Sequence, residues 1–507
     1  MAEVLNTIDG FLWGMPFIIF VLVIGLYYTI RGKFFPITHF GYIMKNTIGT
    51  MFGKNKQKQE VAEGRISSFA AVAIAIGGTV GMGNIGGVAT AVATGGPGAV
   101  FWMILWAFFG MMIKMVEVTL GCYYRNIDDD GAYYGGSTFM IEKGIDWDRG
   151  KHYGVVLAMG FSIALFISWL AGSQAYTISE ALNVSFGINP IAFVLVYSVF
   201  IFYVTYKGTT RIGNFASKIV PFMCFAFIVG GVLMIIVNYK SIPWVIYHIF
   251  RDAFTGTAAA GGFAGAGVSV VIRSGIARSM NSNEAGQGTS PFVHGSADVD
   301  HPMKQGLWGA FEVFIDTIIV CNITAWAVLC TGEWNKGMAG ATLTIAAYKA
   351  TFGEAGVIFI GIMCILFGVT TTSAWYSYDI VNIRYMLRNH PVARDGLVKA
   401  WKFLFPLPNI IIVTTLTLHN YDATVFWAIT DISLVLPIFF NLFSLFVMRN
   451  KFFEIFNDYK ARYMGIGTVN PDFKVFYEDE PGVMEREKAI NVKHQEEIAE
   501  HKHHSDK

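Results

Sequence analysis

The feature that most constrains this chain is a glycine-rich interruption inside an apolar segment, Gly77-Gly78-Thr79-Val80-Gly81-Met82-Gly83-Asn84. Ser67 to Ile76 before it and Ile85 to Thr94 after it are mostly apolar. The whole stretch is therefore long enough to cross a bilayer, which takes about 20 helical residues. The four glycines at its centre work against a continuous helix. In hydrocarbon every backbone N–H and C=O needs a partner, so a broken helix persists only where the break is buried in protein or lines a hydrated cavity. The break is therefore a candidate binding site.

Composition places this segment in an all-α polytopic membrane protein. Hydrophobic residues make up 54% of the 507 and charged residues only 14%, against about 25% charged in an average soluble domain. The net charge of +1 leaves no basic surface for nucleic acid. The five cysteines (Cys122, Cys224, Cys321, Cys330, Cys364) lie in or at the ends of apolar runs, with no CxxC pair and no histidine at metal spacing, and read as helix-facing fillers. Met1 to Gly10 lacks a positive n-region and carries Glu3 and Asp9, so the first apolar run is expected to remain as a span rather than be removed as a signal peptide.

Eleven windows have the length and hydropathy of spans: Phe11 to Ile30, Ser67 to Thr94, Pro97 to Cys122, Val155 to Leu182, Pro190 to Tyr206, Ile219 to Val237, Phe254 to Ile276, Gly306 to Thr331, Ala355 to Ile380, Trp401 to Leu418 and Val425 to Met448. With Met1 outside, 22 Lys and Arg fall on the inner side, Arg273 and Arg278 among them, and 4 on the outer side. The positive-inside rule then puts the N-terminus outside and the tail after Met448 in the cytoplasm. The charged tail, with His501, His503 and His504 near its end, reads as solvated and partly helical rather than as a metal site. The connection from Tyr123 to Gly154 reads as a cytoplasmic loop with a short amphipathic piece.

A second segment, Gly261-Gly262-Phe263-Ala264-Gly265-Ala266-Gly267, repeats the GGxxGxG spacing of Gly77 to Gly83. With the first span set aside, the two fall in spans one and six of the remaining ten, and an offset of five spans forces opposite orientation. That is the pattern of inverted repeats, in which paired glycine-broken helices bracket a midplane site. The competing reading is two ordinary small-residue packing faces.

Gly81 to Gly86 also fits GxGxxG, but a dinucleotide site needs a preceding strand and a downstream acid that this spanning segment lacks. Two half-helices meeting at a break instead present about half a positive charge on one side and half a negative charge on the other. A small zwitterion with a co-bound sodium ion matches both poles. Among polar residues at membrane depth, Lys114 and Glu117 are spaced to pair on one helix face, and Asp316 is placed either to cap a backbone or to couple to an ion. Glu180, Glu312 and Asp431 are expected at span ends or packed interfaces. Gln174 suits either a packing hydrogen bond or a zwitterion. The hydroxyl run Thr370-Thr371-Thr372-Ser373 suits either its own preceding turn or a hard cation, and Trp375 and Tyr376 follow it as possible pocket walls.

Taken together, several stretches resemble the alanine or glycine:cation symporter family. They are Gly81-Met82-Gly83-Asn84-Ile85-Gly86-Gly87-Val88-Ala89, Gly95 to Met103, Gly261 to Ala266, Ser282-Asn283-Glu284-Ala285-Gly286-Gln287-Gly288 and Phe314-Ile315-Asp316-Thr317. The resemblance runs from about Gly64 to Met448. It implies a LeuT-type fold of two five-helix inverted repeats (67–240 and 241–448), preceded by an extra N-terminal helix (1–66) and followed by a cytoplasmic tail (449–507). It also implies sodium-coupled import of alanine or glycine across the plasma membrane, not enzymatic chemistry.

Carried over residue by residue, the resemblance puts substrate against Gly81, Met82, Gly83, Asn84, Gln174, Gly261, Gly262, Gly265 and Trp375. It puts Na⁺ against Thr79, Thr370 and Thr371 and makes Asn283 to Gly288 a gate or turn at the inner end of the sixth repeat helix. Family members commonly carry Thr where this chain has Met82, and Ile-Leu-Gly-Trp where it has Thr372-Ser373-Ala374-Trp375, so the identity of the amino acid is the point most open to change. The alternative from another class is an ion channel constricted at the glycine break.

Overall fold

The computed structural model describes residues 2–52, 66–128, 131–171, 174–258, 265–421 and 423–505. Six helices in it are long and apolar enough to cross a membrane, and two bent pairs would each add a span. A short helix, Ala2–Leu12, leads into α1 (Met15–Arg31). The glycine-rich segment becomes α2 (Ser68–Thr79) and α3 (Val88–Gly95), joined through a wide turn at Gly83–Gly87 and bent by 40°. Then come α4 (Gly98–Tyr123), α5 (Gly154–Ala171), α6 (Ala175–Phe186), α7 (Pro190–Thr205) and α8 (Thr209–Val237). The second half holds α9 (Ile242–Thr255), α10 (Val268–Asn283), α11 (Pro302–Cys330), α12 (Gly340–Phe352) and α13 (Glu354–Met386). The chain continues through the bent pair α14 (Pro391–Leu404) and α15 (Leu407–Leu418), then α16 (Ala423–Val447), α17 (Arg449–Met464) and α18 (Val483–Ser505).

The window expected at Phe254 to Ile276 is not one helix. The chain leaves α9 at Thr255, and Thr257 and Ala266 form an antiparallel bridge before α10 begins. Gly261 and Gly262 lie outside the described residues. Gly265 belongs to this extended connection, which is fastened to the end of α3 by a 2.8 Å bond from Thr257 Oγ1 to Gly95 O. Arg273 and Arg278, expected in an inner connection, sit on α10. There Arg273 pairs with Asp9 at 3.5 Å and Arg278 with Asp431 at 3.0 Å.

The break that faces the first one lies further on, at 284–290. Glu284 takes a left-handed conformation (φ 55°) at the end of α10, Gly286 and Gly288 follow at φ 96° and 76°, and a short helix resumes at Pro291–His294. A methyl placed on Gly83 would lie 3.6 Å from Ser282 Cα, so the first break touches the end of α10 that leads into the second. Ile66–Ser67, which leads into α2, pairs in parallel with Ala297–Asp298, which leaves the second broken segment. One broken segment departs from that pair and the other arrives at it, so they run in opposite directions.

The first part of the tail is packed rather than solvated, while much of its last helix is exposed. Phe452, Phe453, Ile455, Phe456 and Tyr459 of α17 are buried, and the Tyr28 ring of α1 lies 5.9 Å from Phe452 and from Phe453. Further on, Glu478 takes three bonds from Arg125, whose guanidinium lies between the Tyr133 and Phe476 rings at 3.5 and 3.8 Å. The side chains of His501, His503 and His504 lie outside the described residues.

Gly288 is held to glycine by conformation and by space. A Cβ there would stand 2.8 Å from the Asn441 amide and from Ser137 Oγ, and a left-handed backbone costs an L-residue about 1–2 kcal/mol. Gly288→Ala is expected to lower stability by at least that amount, read as a drop in the midpoint of thermal unfolding of the purified protein. An unchanged midpoint would contradict the second break.

Candidate functional site

The two breaks meet at a small cavity in the middle of the helices. It is lined from the first break by Gly78, Thr79, Gly81 and Gly83, and from the second by Asn281, Glu284 and Gln287. Gln174, at the start of α6, and Thr371 and Trp375, on α13, close it together with residues of α5 and α16. Its volume is about 30 Å³. Since ~10–15 Å³ of such space holds one water, there is room only for a ligand of few atoms.

The backbone of the first break is organised by one side chain. Asn84 accepts the Gly81 N–H through Oδ1 at 2.7 Å and donates Nδ2 to Asp316 Oδ1 at 2.6 Å. Asp316 also accepts from Ser282 at 3.3 Å and from Thr317 at 2.7 Å. The carboxylate of α11 thus orients the amide that caps the break, while its own partners among the described residues are all side chains. Asn84 is fully buried and does not line the cavity. Neither does Met82, whose side chain is directed into the core.

The second break is held from α4 and α16. Glu117 accepts the Gly286 N–H at 2.7 Å and the Asn441 Nδ2–H at 2.6 Å, while Asn441 also donates to Gly286 O at 2.9 Å. Lys114, expected to pair with Glu117, instead donates to Asn283 O at 2.9 Å and faces Glu312 at 4.0 Å. A one-turn spacing made the Lys114–Glu117 pair look local, but both side chains reach across to the unsatisfied backbone of the break. Glu312 is completed by His294 Nε2 at 2.5 Å.

The hydroxyl run divides. Thr371 Oγ1 donates to Gly77 O at 3.0 Å, across from α13 to the carbonyl end of α2, and a methyl on Gly81 would overlap that hydroxyl. Thr79 lines the cavity but spends its hydroxyl on its own preceding turn, at Ala75 O and Ile76 O. Thr370 also turns back, to Leu366 O and Phe367 O, and stands outside the cavity. Trp375 forms a wall backed by Trp169, at a centroid distance of 5.7 Å.

A family model, described as the sodium:alanine symporter family, matches residues 1–473. The chain belongs to this family. A "putative sodium/proton-dependent alanine carrier protein", YrbD of Bacillus subtilis, is 35% identical over 476 residues, covering 91% of this chain and 93% of the relative. The "sodium/alanine symporter" AgcS of Methanococcus maripaludis is 34% identical over 393 residues, 76% of this chain and 84% of the relative. Among solved structures, MhsT in complex with L-phenylalanine aligns over 78% of this chain and 99% of its own at a TM-score of 0.53 with 14% identity, a likeness of fold.

Membership makes this symporter-family chain a sodium:amino acid transport protein of the plasma membrane, not an enzyme, with the LeuT-type architecture of its structural neighbours. Of the residues expected at the site, Gly81, Gly83, Gln174, Trp375, Thr79 and Thr371 line the cavity, whereas Met82, Asn84, Thr370 and Gly265 do not. Asn281, Glu284 and Gln287 enter it unforeseen. The signal for Glu284 and Gln287 was present in Asn283-Glu284-Ala285-Gly286-Gln287-Gly288, where a carboxylate and two glycines share a membrane-depth segment.

The Asn84–Asp316 contact supplies a test of the capped break. Asn84→Ala leaves the Gly81 N–H unmatched and removes one partner of a buried carboxylate, a change costing about 1–3 kcal/mol or more. The variant is expected to unfold at lower temperature and to bind substrate more weakly. Wild-type values for both would exclude this role for Asn84.

Proposed function

We propose that the protein imports a small neutral amino acid, alanine or glycine, together with Na⁺ by alternating access. The observation that carries this reading is the smallness of a cavity set between two facing helix breaks. The second half of the first broken segment, Gly83–Gly95, directs its N-terminal N–H groups towards the cavity, which suits a substrate carboxylate. Glu284 supplies negative charge on the opposite wall for the ammonium group, and Gln174 a neutral donor and acceptor. Trp375 and Leu434 leave little room for a side chain larger than a methyl. The printed descriptions of YrbD and AgcS, both naming alanine, support the same substrate class.

Sodium is transported as a second substrate. Its proposed position is beside Gly77 O and Thr371 Oγ1, at the carbonyl end of α2, where neutral oxygens and the negative end of the helix dipole suit a hard monovalent cation. The membrane potential then adds about 2.3 kcal/mol per charge for each 100 mV. The pairing of the two broken segments in opposite directions supports inverted repeats over 67–240 and 241–448. The distribution of Lys and Arg supports an outer N-terminus and an inner tail.

Proteoliposome uptake tests the proposal. An inward sodium gradient is expected to drive saturable accumulation of labelled alanine, with glycine competing and phenylalanine not. Thr371→Ala is expected to raise the sodium concentration for half-maximal uptake, and Gln174→Ala the KM for alanine, each by about tenfold, the loss of one well-placed polar contact of about 1.4 kcal/mol. Uptake indifferent to sodium would remove the coupling, and unaltered kinetics in both variants would remove the site.

A further inference from the structure

A second and larger cavity, of about 640 Å³, lies where α18 crosses the Tyr123 to Gly154 connection and the ends of α13 and α14. That volume falls within the range of small-molecule sites. Its wall is rich in cations, and the carboxylates there are already taken. Arg384 pairs with Asp128 at 3.4 Å, Arg388 with Glu142 at 3.3 Å and Arg394 with Asp395 at 2.9 Å, and Lys143 pairs with Glu487. Two cations remain, Arg486 and Lys493, and neither makes an ion pair among the described residues. They are seven residues apart on α18 and so share one face of it.

Three further features of this cavity favour an anion. Arg486 is held in place by stacking, its guanidinium 3.7 Å from the Trp147 ring centroid, so it is oriented without being neutralised. Asn126, only 6% exposed, lines the cavity with an Nδ2 donor that has no partner among the described residues. His494 has its pKa lowered by burial first and by the Arg394 charge next, so it offers an N–H without needing a charge of its own.

We infer that this cavity binds a phosphate-bearing dianion, held between Arg486 and Lys493 of the C-terminal helix and the Asn126 amide of the connection. Two unmatched positive charges balance one phosphate monoester. Two oxygens of the tetrahedral phosphate match the planar guanidinium fork, and Lys493 acts as a point charge. The remaining volume, walled by Tyr134, Phe139 and Trp147, takes an apolar or aromatic body. The same chemistry is presented by a soluble phosphomonoester such as a nucleotide and by the headgroup of phosphatidic acid.

Full-length protein in nanodiscs separates these sources, without sodium or amino acid, so that the result is independent of transport. In discs of phosphatidylcholine alone, AMP and inorganic phosphate are titrated by calorimetry; in a second set, phosphatidic acid replaces part of the lipid and thermal stability is read. Saturable binding of AMP or phosphate identifies a soluble ligand, and stabilisation only by phosphatidic acid identifies the lipid. In either case Arg486→Gln and Lys493→Gln should each weaken the effect about tenfold, while Lys488→Gln, on the exposed side of the same helix, should not. Because Lys493 is exposed and takes no part in packing, its variant keeps the tail docked, as protection of α18 from trypsin would show. No response in either arm, or an equal response in the Arg486→Gln/Lys493→Gln double variant, overturns the inference.

Discussion

Backbone polar groups freed by a helix break cannot be left bare at membrane depth, and the arrangement of this protein's centre follows from how they are matched. The Gly81 N–H is met by Asn84, the Gly286 N–H by Glu117, the Gly286 carbonyl by Asn441 and the Ala285 N–H by Asn283 Oδ1 at 2.9 Å. Two of these caps are local, and two come from α4 and α16. The breaks therefore exist only within the packed bundle. A buried cap that loses its partner costs far more than the bond contributes in water, which makes each break a stiff feature.

The same matching explains why so many ionisable groups sit at the centre of an apolar protein. Glu117, Glu284, Glu312 and Asp316 are all fully or nearly fully buried, with Lys114 and His294 between them. Each carboxylate is engaged: Asp316 by Asn84, Glu117 by Gly286, Glu284 by Thr289 at 2.5 Å and Glu312 by His294. His294 extends the chain to Gln305 at 2.7 Å and from there to Ser68 at 2.6 Å, the first residue of α2. The second break is thereby linked through side chains to the start of the first broken segment, as well as by the strand pair at Ile66 and Ala297.

What the sequence revealed and what it concealed divide along this line. Ten of the eleven hydropathy windows fall on apolar helices, eight of them on the six long helices and the two bent pairs, and the glycines at 77–83 gave the first break, because apolar length and glycine content are local properties. The second break was misplaced to Gly261–Gly267, since glycine spacing cannot tell an extended connection such as that around the Thr257–Ala266 bridge from a break at the site. The actual break, with Asn283 just before it, contains Glu284 and Gln287, and these polar residues lower local hydropathy and end the apolar window early. Lys114, Glu117 and Asn441, which hold the backbone of this segment at Asn283 and Gly286, are far away in sequence, so nothing local says that the break is buried and satisfied. The tail misled for the same reason: Glu478 and Glu487 read as solvated because Arg125 and Lys143, which pair with them, belong to another connection.

The long helix α13 joins the two ends of this arrangement. Its 33 residues span about 50 Å, with Thr371 and Trp375 at the cavity and Arg384 and Arg388 at the end gripped by the connection and the tail. Against α2 it makes a close contact without bulk: a Cβ on Gly77 would lie 3.2 Å from Thr370 Cβ, and Gly78 and Gly81 would overlap Tyr378 and Thr371 if they carried one. Glycine on α2 thus lets two backbones approach until a hydroxyl of one reaches a carbonyl of the other. An ion that takes oxygens from both helices acts across that seam. An ion at the position proposed for sodium would add to the bond from Thr371 to Gly77 O that already joins α2 to α13, whose far end is tied through Arg384 to Asp128.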